Sequence, residues 1–304
     1  MNLDYKTAGI RQTRHELKLL LLYGPRYLRN RFLDRYPSYV QGSAAQGDFP
    51  DAEVHILTST RDHVLALWAA ATYYATSGRR DPLVIHEYDN LSAMAEARIK
   101  EHFPACRVIR RREADPLVRD RLAAFPRLVA CRDRIPELVK LIDFALLCRT
   151  ERLIVLDSDV LFSRNPVELS SPESPEHVFS RDLASVYSIS PELAARSGFA
   201  LAPRICCGLA NINAAAVDFS YMERFLASGL VALDRCNQYI EQTLWALECG
   251  RSGFRYLPDS YAIRLAPPPQ TITAQHYVGP VRHLFYTEGI PAARRTLAAA
   301  APPN

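Results

Sequence analysis

The chain has 304 residues, of which 48% are hydrophobic and 23% charged, the proportions of an ordinary globular protein. A chain this apolar buries enough surface to offset its conformational entropy, so a mainly disordered state is excluded. The longest uninterrupted apolar stretch, Val64–Ala71, is far shorter than the roughly 18 residues of a membrane-spanning helix. The apolar run at 19–22 is too brief for a secretory signal. Seven cysteines without a CxxC spacing predict free thiols in a reducing compartment, and hence a cytoplasmic protein.

Positive charge is concentrated in the N-terminal arm, defined here as residues 1–36. The arm carries eight basic and three acidic residues, a net charge of +5, whereas the whole chain carries +4. Leucines and aromatic residues lie among these charges. One interpretation is a peripheral contact with the anionic inner face of a membrane. The other is a helix that packs its leucines on the body and exposes its arginines to water. The rest of the chain is close to neutral, which argues against nucleic-acid binding.

After the arm, a Gly/Ser/Ala-rich link at 39–50 precedes a series of short apolar runs that alternate with helical patterns. The predicted elements are strand Val54–Leu57, helix Asp62–Thr76, strand Pro82–His86, helix Met94–His102, strand Cys106–Ile109, helix Pro136–Cys148 and strand Arg152–Leu156. This alternation predicts a parallel α/β sheet with both faces covered. Such sheets bind ligands beyond the carboxyl ends of their strands, so functional residues are expected after Leu57, Ile85 and Leu156.

The pattern changes beyond residue 165. The sequence there predicts a loop at Pro166–Pro175, a strand at Cys206–Asn213, a helix at Asn237–Cys249 and a short strand at Tyr256–Leu257. The Ala/Pro-rich end of the chain predicts a mobile tail. The predicted organisation is therefore an arm and linker over 1–50, a domain over 51–290 and a mobile tail over 291–304.

Two carboxylates follow the fourth predicted strand directly, in the segment IVLDSDVLF. Residues two apart in a strand point to the same face, so where the chain turns Asp157 and Asp159 can converge on one hard cation. Carboxylates suit Mg²⁺ or Mn²⁺, which keep water and substrate phosphates as further ligands. The alternative is a pair of aspartates that serve only the turn. The placement after five apolar residues favours the metal site.

This segment resembles the strand and Asp-x-Asp motif of GT-A glycosyltransferases, in particular the group containing glycogenin and the bacterial lipooligosaccharide galactosyltransferases. Further segments agree in order: Lys140 lies seventeen positions before Asp157, and Cys207–Asn213 resembles the family's Asn-Ser-Gly-apolar-apolar-Ile-Asn strand. Glu241-Gln242 stands where the family has Asp-Gln, and His276–Arg282 matches a His-x-x-Gly-x-x-Lys pattern. The resemblance covers roughly 51–288. It implies a Rossmann-like, mostly parallel sheet flanked by helices.

The resemblance also implies the site and the reaction. The reaction would be transfer of a sugar from a nucleotide-diphosphate donor, a UDP-sugar, with retention of configuration. The metal, Mn²⁺ or Mg²⁺, would be held by Asp157, Asp159 and His276. Donor contacts would come from Thr58, Ser59, Lys140, Asp157, Ser158, Asp159, Gly208, Gly279 and Arg282. Near the sugar, Gln242 would stabilise positive charge through its carbonyl oxygen, and Glu241 would bind sugar or acceptor hydroxyls.

The sequence departs from the family pattern in three places. Cys206-Cys207-Gly208 replaces Asn-Ser-Gly, Arg282 replaces Lys, and Glu241 replaces Asp. These differences bear on the donor sugar and acceptor rather than on the fold. The sequence therefore leaves open whether the acceptor is a sugar, a lipid or a protein.

Two other functions fit parts of the sequence. A haloacid-dehalogenase-like phosphatase would use Asp157 as nucleophile and Asp159 as general acid. That motif opens its domain, whereas three predicted strands precede it here, and no adjacent acidic pair follows it. A non-catalytic binding module on the same fold is the second alternative.

Overall fold

The computed structural model describes residues 24–40, 52–170, 177–265 and 271–300, together with Lys18 and Leu21. The strands are β1 (Ala52–Thr58), β2 (Leu83–Glu87), β3 (Arg107–Ile109), β4 (Arg152–Leu156), β5 (Val160–Phe162), β6 (His177–Arg181), β7 (Ile205–Asn213), β8 (Phe254–Tyr256), β9 (Tyr261–Ile263) and β10 (Ala274–His276). Residues 41–50 of the predicted link at 39–50 lie outside the described ranges. So do the last four residues of the chain and most of the arm.

The α-helices are α1 (His63–Ser77), α2 (Ala93–His102), α3 (Arg111–Arg121), α4 (Pro126–Arg134), α5 (Ile142–Leu147), α6 (Val167–Ser170), α7 (Pro191–Arg196), α8 (Phe219–Ala227), α9 (Tyr239–Ser252), α10 (Arg282–Leu284) and α11 (Ile290–Ala300). Short 3-10 turns cover Pro136–Val139, Ala214–Ala216, Leu233–Arg235 and Gly279–Val281. Wider π-turns cover Arg29–Leu33 and Phe285–Gly289.

The main sheet has seven strands in the order β3-β2-β1-β4-β7-β6-β8. Strands β1 to β4 pair in parallel, β7 runs antiparallel to both β4 and β6, and β6 pairs in parallel with β8. A second sheet contains β5, β10 and β9. The predicted mostly parallel α/β fold is therefore confirmed.

Both faces of the main sheet are covered, as the unbroken apolar runs of its central strands require. Strand β4 is buried along its whole length, and β1 is buried except at Leu57. Helix α1 packs on one face and is buried on nearly all sides, with Trp68 and Tyr73 fully enclosed. It ends at Gly78, whose positive φ of 66° closes the last turn. The helix begins five residues after the end of β1, so the β1–α1 connection lies at the carboxyl edge of the sheet.

Three predicted elements differ from those observed. The predicted loop at Pro166–Pro175 contains a short helix, α6, at Val167–Ser170. The predicted helix Pro136–Cys148 is a 3-10 turn at Pro136–Val139 followed by α5. The change of helix type arises because Lys140 N and Leu141 N each bond to a carbonyl three residues back, at 3.0 and 3.2 Å. The predicted strand at Tyr256–Leu257 is β8, which ends at Tyr256.

The predicted mobile tail over 291–304 requires correction for its first ten residues. Helix α11 covers Ile290–Ala300, with Ile290, Ala293 and Leu297 buried in the core that also contains Trp68. Its apolar residues recur at helical spacing, so the helix gains tertiary packing that composition alone does not reveal. The other predicted domain boundaries stay predictions.

The seven cysteines are all free, as the sequence predicted, and five of them are buried. None of the helices in the described ranges combines the length and apolarity needed to cross a membrane. The predicted compartment stays a prediction.

Candidate active site

The candidate site lies where β4 ends and β7 begins. The Asp157 amide, one residue after β4, donates to the Gly208 carbonyl at 2.8 Å. Strand β1 runs beside β4 in parallel, with His55 opposite Val155, so Thr58 and Ser59 reach the same edge. Parallel strands bring their carboxyl ends to one edge, which is where such sheets bind ligands.

His276 reaches the two aspartates through the second sheet. Strand β10 pairs antiparallel with β5, which places His276 opposite Val160, the residue after Asp159. The Tyr277 amide also donates to the Asp159 carbonyl at 2.9 Å. A short strand near the C-terminus thus carries the imidazole back to the Asp-x-Asp turn, across more than a hundred residues of sequence.

The side chains of Asp157, Asp159 and His276 form one cluster. His276 Nε2 lies 3.0 Å from Asp159 Oδ1 and 3.7 Å from Asp157 Oδ2. One ligand atom from each of the three residues lies within 4.8 Å of the others. The sequence-predicted metal ligands are therefore brought together, and two carboxylates with one imidazole make a donor set suited to Mn²⁺ or Mg²⁺.

Basic side chains hold the other carboxylate oxygens. Lys140 Nζ donates to Asp157 Oδ1 at 2.9 Å. Arg282 donates to Asp159 Oδ2 from Nε at 3.1 Å and from a terminal nitrogen at 2.7 Å. Each aspartate therefore has one oxygen fixed by a cation and the other turned toward His276. Asp143, three residues after Lys140, binds Arg132 at 2.6 Å instead of Lys140.

The charges within the cluster depend on one another. Burial opposes ionisation of Asp159, but His276 and Arg282 outweigh it and hold the pKa of Asp159 well below its usual range. Burial alone would lower the pKa of His276, and Asp159 raises it above the ordinary value. Likewise Asp157 and Glu241 keep the pKa of buried Lys140 high. Asp159 is thus an ionised carboxylate inside the protein, ready to bind a cation.

Gly208 provides the space that the cluster occupies. A Cβ at this position would lie 2.3 Å from His276 Cε1 and 2.9 Å from Asp157 Oδ2. Any side chain there would displace both groups, so the close approach requires glycine. Gly279 differs, because a Cβ there would meet nothing within 4 Å. Its predicted donor contact stays a prediction.

Gln242 lies on α9 and is fixed at its nitrogen. Its Nε2 donates to Asp182 Oδ2 at 2.9 Å and to the Ile205 carbonyl at 2.6 Å. These two acceptors orient the amide and leave Oε1 without a hydrogen bond to any described residue. The oxygen is the end of the side chain that the prediction assigned to the sugar.

Glu241 lies deeper than predicted for a residue that binds sugar hydroxyls. It is only 5% exposed, and its Oε2 is 3.4 Å from Lys140 Nζ. Burial raises its pKa to about 8, an effect that Lys140 only partly opposes. Its Oε1 makes no hydrogen bond within the described ranges. Glu241 is therefore a buried partner of Lys140. Its predicted contact with the sugar stays a prediction.

Thr58, at the end of β1, and Ser59, directly after it, were predicted to contact the nucleotide, and both are buried. Thr58 Oγ1 is buried and has no hydrogen-bond partner among the described residues. Ser59 Oγ accepts from the Arg61 amide at 3.2 Å and so supports the turn into α1. Ser158 is half-buried between the two aspartates. The predicted contacts of these three residues with a nucleotide stay predictions.

Two residues that contact the site were not predicted. Asp182 anchors Gln242 from the residue after β6, a strand that was absent from the predicted elements. Cys206 Sγ lies 3.7 Å from His276 Nδ1, on the side of the ring away from the aspartates. The sequence signalled Cys206 only as a departure from the family pattern. An acidic residue at the end of a strand is the signal that could have indicated Asp182.

Solved glycosyltransferases share this fold. Mouse xyloside xylosyltransferase 1, in its apo form, matches with a TM-score of 0.52 and 14% identity over 76% of this chain and 98% of that chain. The galactosyltransferase LgtC, in complex with donor and acceptor sugar analogs, matches with a TM-score of 0.54 and 14% identity over 83% of this chain and 97% of that chain. The chain thus has the GT-A fold, which confirms the predicted resemblance. No protein-family model and no curated protein matches the sequence.

Proposed function

We propose that the protein is a metal-dependent glycosyltransferase that moves a sugar from a nucleotide-diphosphate donor to an acceptor. The observation that carries this proposal is the convergence of Asp157, Asp159 and His276 at the carboxyl edge of a GT-A sheet. The resemblance of the sequence to glycogenin-like enzymes supports a UDP-sugar as donor and retention of configuration. The similarity in fold to a galactosyltransferase solved with donor and acceptor sugar analogs supports the same reaction class.

The residues present fit a divalent ion. The 3.0 Å contact between His276 Nε2 and Asp159 Oδ1 and the 3.7 Å separation from Asp157 Oδ2 bring one nitrogen and two carboxylate oxygens together, the ligand types that Mn²⁺ and Mg²⁺ take in proteins. Asp157, Asp159 and His276 would hold Mn²⁺ or Mg²⁺, which when bound supplies Lewis-acid neutralisation of the departing diphosphate.

Lys140 and Arg282 act as positioning residues in this proposal. Each binds the carboxylate oxygen that does not face His276, so the pair fixes the direction of the two remaining oxygens. Loss of such an outer contact typically lowers the affinity of a metal site about 10- to 100-fold. Arg282 also keeps about a third of its side chain exposed, so the same guanidinium can present a donor to a phosphate.

Gln242 would act on the sugar itself. Because its nitrogen is held by two acceptors, only its carbonyl oxygen is available to a substrate. A carbonyl oxygen fixed beside the anomeric carbon stabilises the positive charge of an oxocarbenium-like transition state without taking a proton. Thr58, Ser59 and Ser158 would contact the nucleotide, and the buried, unpartnered hydroxyl of Thr58 is the donor best placed within β1 to do so.

The phosphatase alternative loses support from the same contacts. A nucleophilic aspartate needs an unhindered oxygen and a nearby acidic pair for Mg²⁺. Here Asp157 Oδ1 is bound by Lys140, and the third member of the cluster is a histidine. Three parallel strands, β1, β2 and β3, precede β4 in the chain, so the motif does not open the sheet.

The decisive experiment measures Mn²⁺-dependent UDP binding by calorimetry in wild type and in Asp159→Asn. We expect the variant to lose about 10- to 100-fold in affinity, because an amide is a poorer ligand and no longer pairs with Arg282. Asp120→Asn, an exposed position on α3, is the matched control and should bind like wild type. Equal UDP affinity in Asp159→Asn and wild type, with circular dichroism unchanged, would refute the metal role.

A second measurement separates the functional classes. Incubation with a panel of nucleotide sugars and Mn²⁺ should give slow donor hydrolysis that Asp159→Asn abolishes. Release of phosphate from phosphomonoesters would indicate the phosphatase, and binding without hydrolysis would indicate a non-catalytic module.

A further inference from the structure

The described part of the arm is fixed to the body along one side. Tyr27 and Asn30 are each 2% exposed. Asn30 donates to the Tyr286 carbonyl at 2.6 Å and accepts from Arg294 at 2.9 Å. The Trp68 indole donates to the Arg35 carbonyl at 2.7 Å. The arm is therefore a structured part of the protein surface from at least Tyr27 to Arg35.

Its other side exposes large apolar residues. Leu21, Leu28, Phe32 and Leu33 are 79%, 37%, 51% and 77% exposed. Leu28, Phe32 and Leu33 fall within six consecutive residues, and the buried side chains of Tyr27 and Asn30 mark the side of this stretch that faces the body. Among the described residues this is the densest group of exposed apolar side chains along the chain. Exposed apolar side chains that are grouped in this way are typical of an interaction site, whereas single ones are ordinary on a protein surface.

Basic residues lie beside these apolar residues in the sequence. Lys18, Arg26 and Arg29 are exposed, and the only acidic residue among the described residues of the arm is Asp34, which pairs with Arg29. Arg31 and Arg35 stack on the rings of Tyr286 and Tyr36. An apolar centre with a cationic border is complementary to a bilayer that contains anionic lipids, where the apolar groups enter the acyl boundary and the cations meet the headgroups.

We propose that this face, formed by Leu28, Phe32 and Leu33 with the arginines beside it, docks on an anionic lipid surface. A second copy of the chain would bring two cationic faces together, so self-association through this face is disfavoured by charge. The fixed contacts of Asn30 with Tyr286, four residues after Arg282, hold the docked arm in a constant position relative to the segment that contacts Asp159. The proposal does not depend on sugar transfer and goes beyond it.

Vesicle co-sedimentation tests the proposal with the full chain. We expect wild type to sediment with vesicles of phosphatidylcholine mixed with phosphatidylglycerol, to stay in solution with phosphatidylcholine alone, and to be released by salt. The L28S/F32S/L33S variant should lose binding at least about tenfold. Its matched control is L117S/V167S, which changes two residues that are each 55% exposed elsewhere on the surface.

A second pair of variants tests how much the basic residues contribute to vesicle binding. Arg26→Glu should weaken partitioning by more than about fivefold, the contribution of one basic residue near an anionic surface. Arg112→Glu, on an arginine whose side chain is 85% exposed outside the arm, should leave it unchanged. An independent readout that removes no apolar group is Phe32→Trp, whose emission should shift to shorter wavelength on the anionic vesicles.

Two outcomes would overturn the proposal. Wild type that stays in solution with phosphatidylglycerol vesicles, and an unshifted Phe32→Trp emission, would show that the face does not bind lipid. A wild-type dimer in gel filtration that L28S/F32S/L33S converts to a monomer, without vesicle binding, would instead assign the face to a second copy of the chain.

Discussion

Gly208 determines how closely His276 approaches Asp157. A methyl group there would meet His276 Cε1 at 2.3 Å and would push the ring away from the aspartates. We predict that Gly208→Ala lowers Mn²⁺ affinity about 10- to 100-fold, the usual effect of disturbing a ligand's support, while the strand keeps its pairing. Calorimetric titration with Mn²⁺ alone measures this effect.

Gly279→Ala is the control for that prediction. A Cβ at Gly279 meets nothing within 4 Å, so the added methyl group should leave the affinity for Mn²⁺ alone unchanged. If both variants bind Mn²⁺ like wild type, His276 does not belong to the metal site.

At the residue scale, the sequence was sufficient to predict the three members of the candidate metal cluster and insufficient to predict the side chains that orient them. Asp157 and Asp159 follow from a strand that ends in two carboxylates, and His276 follows from a resemblance. That Arg282 binds Asp159 depends on a tertiary approach across 123 positions, which spacing does not encode. Glu241 was expected to contact sugar because it stands where the family has an aspartate, yet the packing around Lys140 buries it.

At the scale of elements, the sequence predicts those whose apolar pattern is strong. β1, β2, β4 and α1 are long and apolar, and all were predicted. Helices α3 and α4 were missed because they are rich in charged residues, and α3 contains Pro116. Strands β5, β9 and β10 have three residues each, too few for a period of two to be recognised. Yet β10 is the strand that delivers His276.

Helix α11 tests how much the C-terminal segment contributes to stability. Ile290 is fully buried at its first position. We predict that Ile290→Ala lowers the free energy of unfolding by about 3 kcal/mol, because the cavity adds to the lost burial. Leu117→Ala, at a side chain 55% exposed, should change it by less than about 0.5 kcal/mol. Urea denaturation of both variants gives the values, and equal stabilities would mean that α11 does not pack on the body as described.

At the scale of the whole molecule, a buried polar network joins the strands on the side of the sheet that includes β1. Glu53 on β1 accepts from Arg107 on β3 at 3.0 Å and from the Arg149 amide, just before β4, at 2.9 Å. It also accepts from His55 Nε2 at 3.0 Å, since a carboxylate cannot donate. His55 Nδ1 then accepts from His86 on β2 at 3.0 Å. One carboxylate therefore holds three strands in register around β1.

This network predicts how the fold responds to acid. Burial opposes ionisation of Glu53, but its hydrogen bonds and Arg107 prevail and lower its pKa from 4.5 to about 2. A carboxyl with a depressed pKa stabilises the fold above pH 4.5, and that contribution is lost as the pH falls toward 2. Burial also lowers the pKa of His55, so the folded state resists its protonation and loses further stability below about pH 6.5.

Glu53→Gln should therefore cost about 2 kcal/mol at pH 7, because Arg107 and His55 lose a charged partner. The same variant should show a smaller fall in stability than wild type between pH 4.5 and 2, since the titrating group is gone. Glu101→Gln, whose side chain is 57% exposed, is the matched control and should follow the wild-type profile. Urea unfolding followed from pH 7 to pH 2 measures both effects, and parallel profiles for Glu53→Gln and wild type would show that this carboxylate does not govern the acid sensitivity of the fold.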